Sequence, residues 1–326
     1  MPFDKTVFLP LDPDAVFELI TQPERLRRWK TVAARVDLRV GGEYRWTIVP
    51  GHSAAGTYRE IDPGKRVVFT WGWEGAPDLP PGASTVSITL DAVEGGTNLR
   101  LVHDGLTDEQ AASHGEGWNH YLDRLVEFVS VGEIGLDPWS AAPDPIDEFT
   151  SAEATLVILE RALRTLTQAD LTRSTPCVDY NAAQLVDHLY ESVAKIGGAL
   201  GVKIADDPTA SPEVRIADLA QQTLETFRKR GLDGTIDLGF AELPATIIAS
   251  ILNLEFLVHA WDFAMATGQN LEVSPVLSEY VLGLAHNTIT SSLRENGSFG
   301  AAINIDESEE SLKRLIAFTG RQVSVS

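Results

Sequence analysis

The apolar periodicity changes abruptly along this chain, and that change restricts it to two architectures in series. Up to about residue 103, apolar residues recur at every second position in short segments. These are Thr6–Leu9, Val36–Val40, Glu43–Val49, Gly56–Ile61, Arg66–Trp73, Ser84–Ala92 and Thr97–His103. Turn residues separate them at Gly41-Gly42, Pro50-Gly51, Asp62-Pro63-Gly64, Pro80-Pro81-Gly82 and Gly95-Gly96. The spacing predicts antiparallel strands. Asp12 or Asp14 caps a predicted helix running to about Ile20. From Thr107 to Val131 the spacing becomes helical, with Trp118, Tyr121, Leu122, Leu125 and Phe128 or Val129 on one face. The next stretch, GLDPWSAAPDPIDEF, holds three prolines and no period. It predicts a linker over 134–149 between a domain at 1–133 and another at 150–326. The second domain reads as helices only: Ala152–Gln168, Asn181–Ile196, Pro212–Arg230, Leu243–Thr267, Pro275–Leu293 and a short one over Ser308–Phe318.

A chain of 326 residues suits two domains of ordinary size. Its net charge of -21 repels phosphate backbones and anionic lipid surfaces, so neither nucleic acid nor membrane is expected as a partner. A homodimer stays open. The single cysteine, Cys177, excludes an intramolecular disulfide and reads as a reducing cytoplasm. The N-terminus has no basic segment followed by an apolar run, so no signal peptide is expected. The longest apolar stretch, about Leu243 to Ala266, is interrupted by Pro244, Glu255, His259 and Asp262, which argues against a lipid-facing span.

In the first domain the order strand, helix, about six strands, long helix resembles the helix-grip fold of the START/Bet v 1 (SRPBCC) superfamily. Within it, the chain is most similar to the branch named for activators of a heat-shock-protein ATPase. The residues that carry this begin with Pro13-Asp14-Ala15-Val16-Phe17, Leu26-Arg27-Arg28-Trp29 and Gly41-Gly42-Glu43-Tyr44. Gly56-Thr57-Tyr58-Arg59-Glu60-Ile61, Leu101-Val102-His103-Asp104-Gly105, Gly117-Trp118 and Leu122 complete them. The resemblance covers about residues 3–132 and implies a cavity between a curved sheet and its long helix. Trp46, Phe69, Trp71, Trp73 and Trp118 are candidates to line a pocket for an apolar ligand, or else to fill the core. His103 beside Asp104 reads as a turn-forming pair ahead of the last helix rather than a catalytic one.

In the second domain the segment Leu254–Asp262 constrains chemistry. The surrounding helix is apolar nearly all round, yet Glu255, His259 and Asp262 fall at i, i+4 and i+7, on one stripe. A carboxylate and an imidazole in apolar surroundings are costly unless paired or coordinated. The helix after Asn181, with Gln184 at its third position, presents Leu185, Leu189, Val193 and Ile196, and His188 sits at the edge of that face. His188, Glu255 and His259 suit zinc with water as a fourth ligand, and nickel or another divalent ion is open. Asp262 is placed to orient a ligand. Spacing alone leaves a metal site and a buried polar cluster both open.

Thr175-Pro176-Cys177-Val178-Asp179-Tyr180 with Leu185 and His188-Leu189, then His259-Ala260-Trp261-Asp262 with Ala264, Thr267-Gly268 and Gln269, resemble two signatures of one family. It is that of DinB-like, mycothiol-dependent maleylpyruvate isomerase N-terminal domains. The resemblance covers about 150–322. It implies a four-helix bundle holding a metal on His188, Glu255 and His259. The chain departs from the pattern at Tyr180, where the family usually has Trp, and a sterol-carrier-like C-terminal domain of the kind the isomerases append is not expected in it. Cys177, just ahead of a helix, reads as a packed thiol. The fold class expected is therefore an α+β helix-grip domain followed by an all-α DinB-like four-helix bundle. The implied function is a metal-dependent transferase or isomerase using a low-molecular-weight thiol cosubstrate and a small-molecule substrate. The alternative is a ligand-binding or stress- and chaperone-associated module with a structural or vestigial metal.

Overall fold

A computed structural model of the chain describes residues 2–295 and 297–323. It divides into two compact units, with the boundary between Leu136 and Asp137.

The first unit opens with strand β1 (Phe3–Leu9) and helix α1 (Pro13–Thr21). Asp12 caps α1 by accepting from the Ala15 amide at 2.9 Å, and Pro13 occupies the first turn, where its missing N–H costs nothing. A second helix, α2 (Pro23–Trp29), stands where the periodicity predicted no element. β2 covers Ala33–Val36 rather than Val36–Val40. Residues 37–42 instead close a loop, in which Arg39 N bonds Asp37 O and Gly42 N bonds Arg39 O. Leu38 and Val40, the apolar members of the expected alternation, are 40% and 63% exposed, so burial does not drive them into a strand.

β3 (Glu43–Val49), β4 (His52–Asp62), β5 (Arg66–Trp71), β6 (Ser84–Val93) and β7 (Gly96–Asp104) follow. They complete an antiparallel sheet of seven strands in the order β1-β7-β6-β5-β4-β3-β2. β6 turns Val86, Ile88 and Leu90 inward, and β7 does the same with Leu99, Leu101 and His103, as a period of two requires. Helix α3 (Asp108–Val131) starts from a reciprocal cap between Thr107 and Gln110. It packs on β1 and α2, burying Trp118, Tyr121, Leu122 and Leu125. The core lies between this helix, α1 and the sheet.

The second unit is mainly helical. α4 (Glu148–Arg164) begins inside the stretch expected to be linker, because Asp147 and Thr150 cap each other there. After a 3₁₀ turn at Asp170–Thr172 comes α5 (Ala182–Ala199), capped reciprocally by Asn181 and Gln184. α6 (Pro212–Arg230) is followed by an unexpected small hairpin, β8 (Thr235–Asp237) and β9 (Glu242–Pro244), which leads into α7 (Ala245–Thr267). The helix expected to reach Leu293 breaks into α8 (Pro275–Thr288) and α9 (Ser291–Glu295). The break is at Ile289, which leaves helical geometry (ψ 95°) and is buried. α10 (Ser311–Phe318) packs on α8. The four long helices form a ring: α4 on α7, α7 on α5, α5 on α6 and α6 on α4. α7 is long and apolar enough to cross a membrane by composition, but most of it is buried within this unit.

Candidate metal centre and aromatic cluster

The polar stripe of α7 meets α5 at one point. His188 Nε2 lies 3.6 Å from Glu255 Oε2, and His259 Nε2 lies 3.7 Å from the same oxygen. The three ligand-type atoms are within 4.8 Å of one another. Glu255 Oε2 is buried and has no hydrogen-bond partner among the described residues. The two imidazole rings meet edge to face, with centroids 5.4 Å apart.

The far side of His259 is fixed. Arg321 donates to both oxygens of Asp262, at 2.7 and 2.8 Å, in the bidentate geometry typical of guanidinium and carboxylate. Asp262 is therefore an acceptor, and His259 Nδ1–H donates to its Oδ2 at 2.9 Å. In the neutral imidazole that puts the proton on Nδ1 and the lone pair on Nε2, the nitrogen nearest Glu255. Burial alone would raise the Asp262 carboxyl; the hydrogen bonds from His259 and Arg321 outweigh it and hold it below its ordinary value. Burial lowers the His188 imidazole, with Glu255 pulling the other way. Tyr180 stacks on the His188 ring at 4.9 Å and 22°, so the departure from Trp keeps an aromatic platform there. Cys177 lies within 4.8 Å of ligand atoms of His259 and Asp262. Burial pushes its thiol up to about 11, away from a reactive thiolate.

In the first unit, Trp46, Phe69, Trp71 and Trp118 are all buried and Trp73 is partly so. Trp46 and Trp71 lie 6.1 Å apart between centroids, Trp71 and Trp118 5.2 Å, Trp71 and Trp73 5.5 Å, and Phe69 sits edge-on to Trp46 at 5.2 Å. Trp73 stands beyond the end of β5 and donates from Nε1 to His114 Nε2 at 3.0 Å. His103 is buried, whereas Asp104 is exposed and accepts from the Gly105 amide, so the two side chains do not act as a pair.

Periodicity missed Lys30. It follows Trp29 at the end of α2, and its Nζ lies over four indoles: 4.2 Å from the centroids of Trp46 and Trp118, 5.0 Å from Trp71 and 6.0 Å from Trp29. Only the tryptophans around it could have signalled this, and all but Trp29 come from distant segments. Arg321 was missed too, since it follows α10 in irregular chain.

Residues 10–130 match the family model described as "Activator of Hsp90 ATPase homolog 1-like protein". An uncharacterized protein of Mycobacterium tuberculosis is 28% identical over 154 residues, 46% of this chain and 84% of that protein. The AHSA1-like protein of Rhizobium etli, solved by NMR, is 38% identical over 44% of this chain and 90% of that one, with a TM-score of 0.36. DynU16, from the dynemicin biosynthetic locus, is 22% identical over 40% of this chain, with a TM-score of 0.37. The chain spans just under half of its length, 48%. The N-terminal unit, with its long helix lying on an antiparallel sheet and its family-model match, is an AHSA1-like domain of the SRPBCC helix-grip type.

Proposed function

We propose that the C-terminal unit binds a divalent metal, zinc in the first instance, on His188, Glu255 and His259, and serves a reaction of a low-molecular-weight thiol. The observation that carries this is Glu255 Oε2: a buried carboxylate oxygen with no hydrogen bond among the described residues, set near two imidazole nitrogens. Such an atom is costly unless a cation meets it. The donor set fits. Two ligand atoms at about 2.1 Å from a tetrahedral ion lie about 3.4 Å apart, so the spacings of 3.6 and 3.7 Å need little contraction. An ion held there supplies Lewis acidity that favours the thiolate form of a bound thiol. The chain's own contribution is to hold His259 through Asp262 and Arg321, and His188 against Tyr180. The thiol chemistry is supported by the resemblance of the Thr175–Leu189 and His259–Gln269 segments to mycothiol-dependent isomerase domains.

Elemental analysis of protein prepared without chelators is expected to find about one divalent ion per chain, and His188→Ala to lose it. A transfer screen with mycothiol, bacillithiol and glutathione then tests the reaction, with loss of metal and turnover together in the variant as the supporting result. Protein that holds no stoichiometric metal, and takes up none when supplied, overturns the reading. Loss of metal together with loss of fold, where no thiol supports turnover, assigns the ion a structural role.

A second reading concerns the N-terminal unit, as a binding domain for an apolar small molecule. The indole N–H groups of Trp46 and Trp71, buried and unpartnered among the described residues, favour it over aromatics that merely fill a core.

A further inference from the structure

The core of the N-terminal unit collects hydrogen-bond donors without acceptors. Lys30 is 5% exposed, and burial is the one cause that shifts its ammonium, with no carboxylate set against it among the described residues. Trp46 Nε1, Trp71 Nε1 and the Tyr58 hydroxyl are buried with no hydrogen-bond partner among the described residues. They belong to one cluster. Trp46 and Trp71 flank the Lys30 ammonium, and Tyr58 reaches Trp46 through Tyr44, which lies 5.6 Å from one and 4.3 Å from the other. Buried polar groups are almost always partnered, so several orphans in one cluster need a physical account.

Cation–π attraction accounts for part of it. Four indole faces, three of them within 5.0 Å, draw the ammonium in and soften its burial. That attraction uses the ring faces and does nothing for the indole N–H groups, which lie in the ring planes. The neighbouring His103 cannot supply the missing acceptor. Its Nδ1 accepts from Trp118 Nε1 at 3.0 Å, and its Nε2 lies 2.9 Å from Ser84 Oγ, which itself donates to the Trp71 carbonyl. Both imidazole nitrogens are therefore committed. Burial also drives the Lys30 ammonium well below its ordinary range, so a charge there is held only against a cost. An incoming anionic acceptor would meet both needs, and the surrounding rings would take an apolar body.

We propose that this cage binds an apolar or aromatic carboxylic acid, its carboxylate received by Lys30 Nζ and the indole N–H groups of Trp46 and Trp71. The proposal rests on the ligand-binding reading of the N-terminal unit and adds the class of ligand. A neutral ligand would give the donors an acceptor but leave the ammonium without a counter-charge. A cationic ligand would be repelled by Lys30.

The test is calorimetric titration of the full chain with cinnamate, cinnamyl alcohol and cinnamylamine, which share a body and differ in the head group. Cinnamate is expected to bind at least about tenfold more tightly than the alcohol, and the amine more weakly than either. In Lys30→Met, of similar length but uncharged, the preference for the acid is expected to shrink to about twofold or less with circular dichroism unchanged. Should that variant fail to fold, Trp46→Phe keeps a ring and removes the N–H; cinnamate should then weaken at least about threefold more than the alcohol. Equal affinity for acid and alcohol, or preference for the amine, overturns the carboxylate proposal and leaves the ligand-binding reading standing. No binding of any of the three overturns both.

Discussion

Hydrogen bonds around His103 run in one direction, from Trp118 Nε1 to the imidazole, on to Ser84 and then to the Trp71 carbonyl. Such a chain admits the neutral imidazole with its proton on Nε2 and gives an imidazolium no place for its second proton. Burial first, then His114 and Lys30, lowers His103 to about 3, against an ordinary 6.5. The sign follows from linkage. Below 6.5 the unfolded chain takes up a proton that the folded chain refuses, so the stability tied to His103 is whole above that value. It is lost progressively as pH falls toward about 3. An NMR titration of its imidazole should find the neutral form still dominant at pH 5; a midpoint near 6.5 would contradict the burial argument. The same residues show what a sequence can disclose about a site. Glu255, His259 and Asp262 were legible because one helix places them on a single stripe, and His188 because its helix has a clear apolar face. Lys30 and Arg321 were not, since their significance lies in partners brought close only by the finished fold.

At the scale of elements, turn chemistry carried most of the information. Glycine and proline signals delimited β3 and β5–β7 closely, because a hairpin needs those residues wherever it reverses. The seven residues of α2 and the three-residue strands β8 and β9 escaped notice because so short a span has no measurable period. The α8–α9 break escaped because Ile289 is apolar in either conformation. Gly56 is a place where close approach dictates the residue. A Cβ added there would lie 1.9 Å from the carbonyl oxygen of Thr70 on the neighbouring strand. Gly56→Ala must therefore push β4 away from β5, and is expected to cost about 1–3 kcal/mol. Urea midpoints compare the two proteins at equal slope, and an unchanged midpoint would show that the sheet yields without strain.

At the scale of the whole molecule, each unit has a core of its own. The aromatic and aliphatic cluster of the first is drawn from residues no later than Ile134. A protein ending at Leu136 is therefore expected to fold alone and to unfold in urea in one cooperative transition, followed by far-UV circular dichroism. A broad, non-cooperative melt would mean that this cluster does not suffice. In the second unit, helices α5 and α7 touch over fewer residues than any other adjacent pair in the ring. His188 and Glu255 face each other across that seam. An ion bound by both would be a clasp set where the ring is least closed. Parting α5 from α7 would require releasing the ion, so its free concentration would set by mass action how often the seam opens and how readily a protease reaches α5.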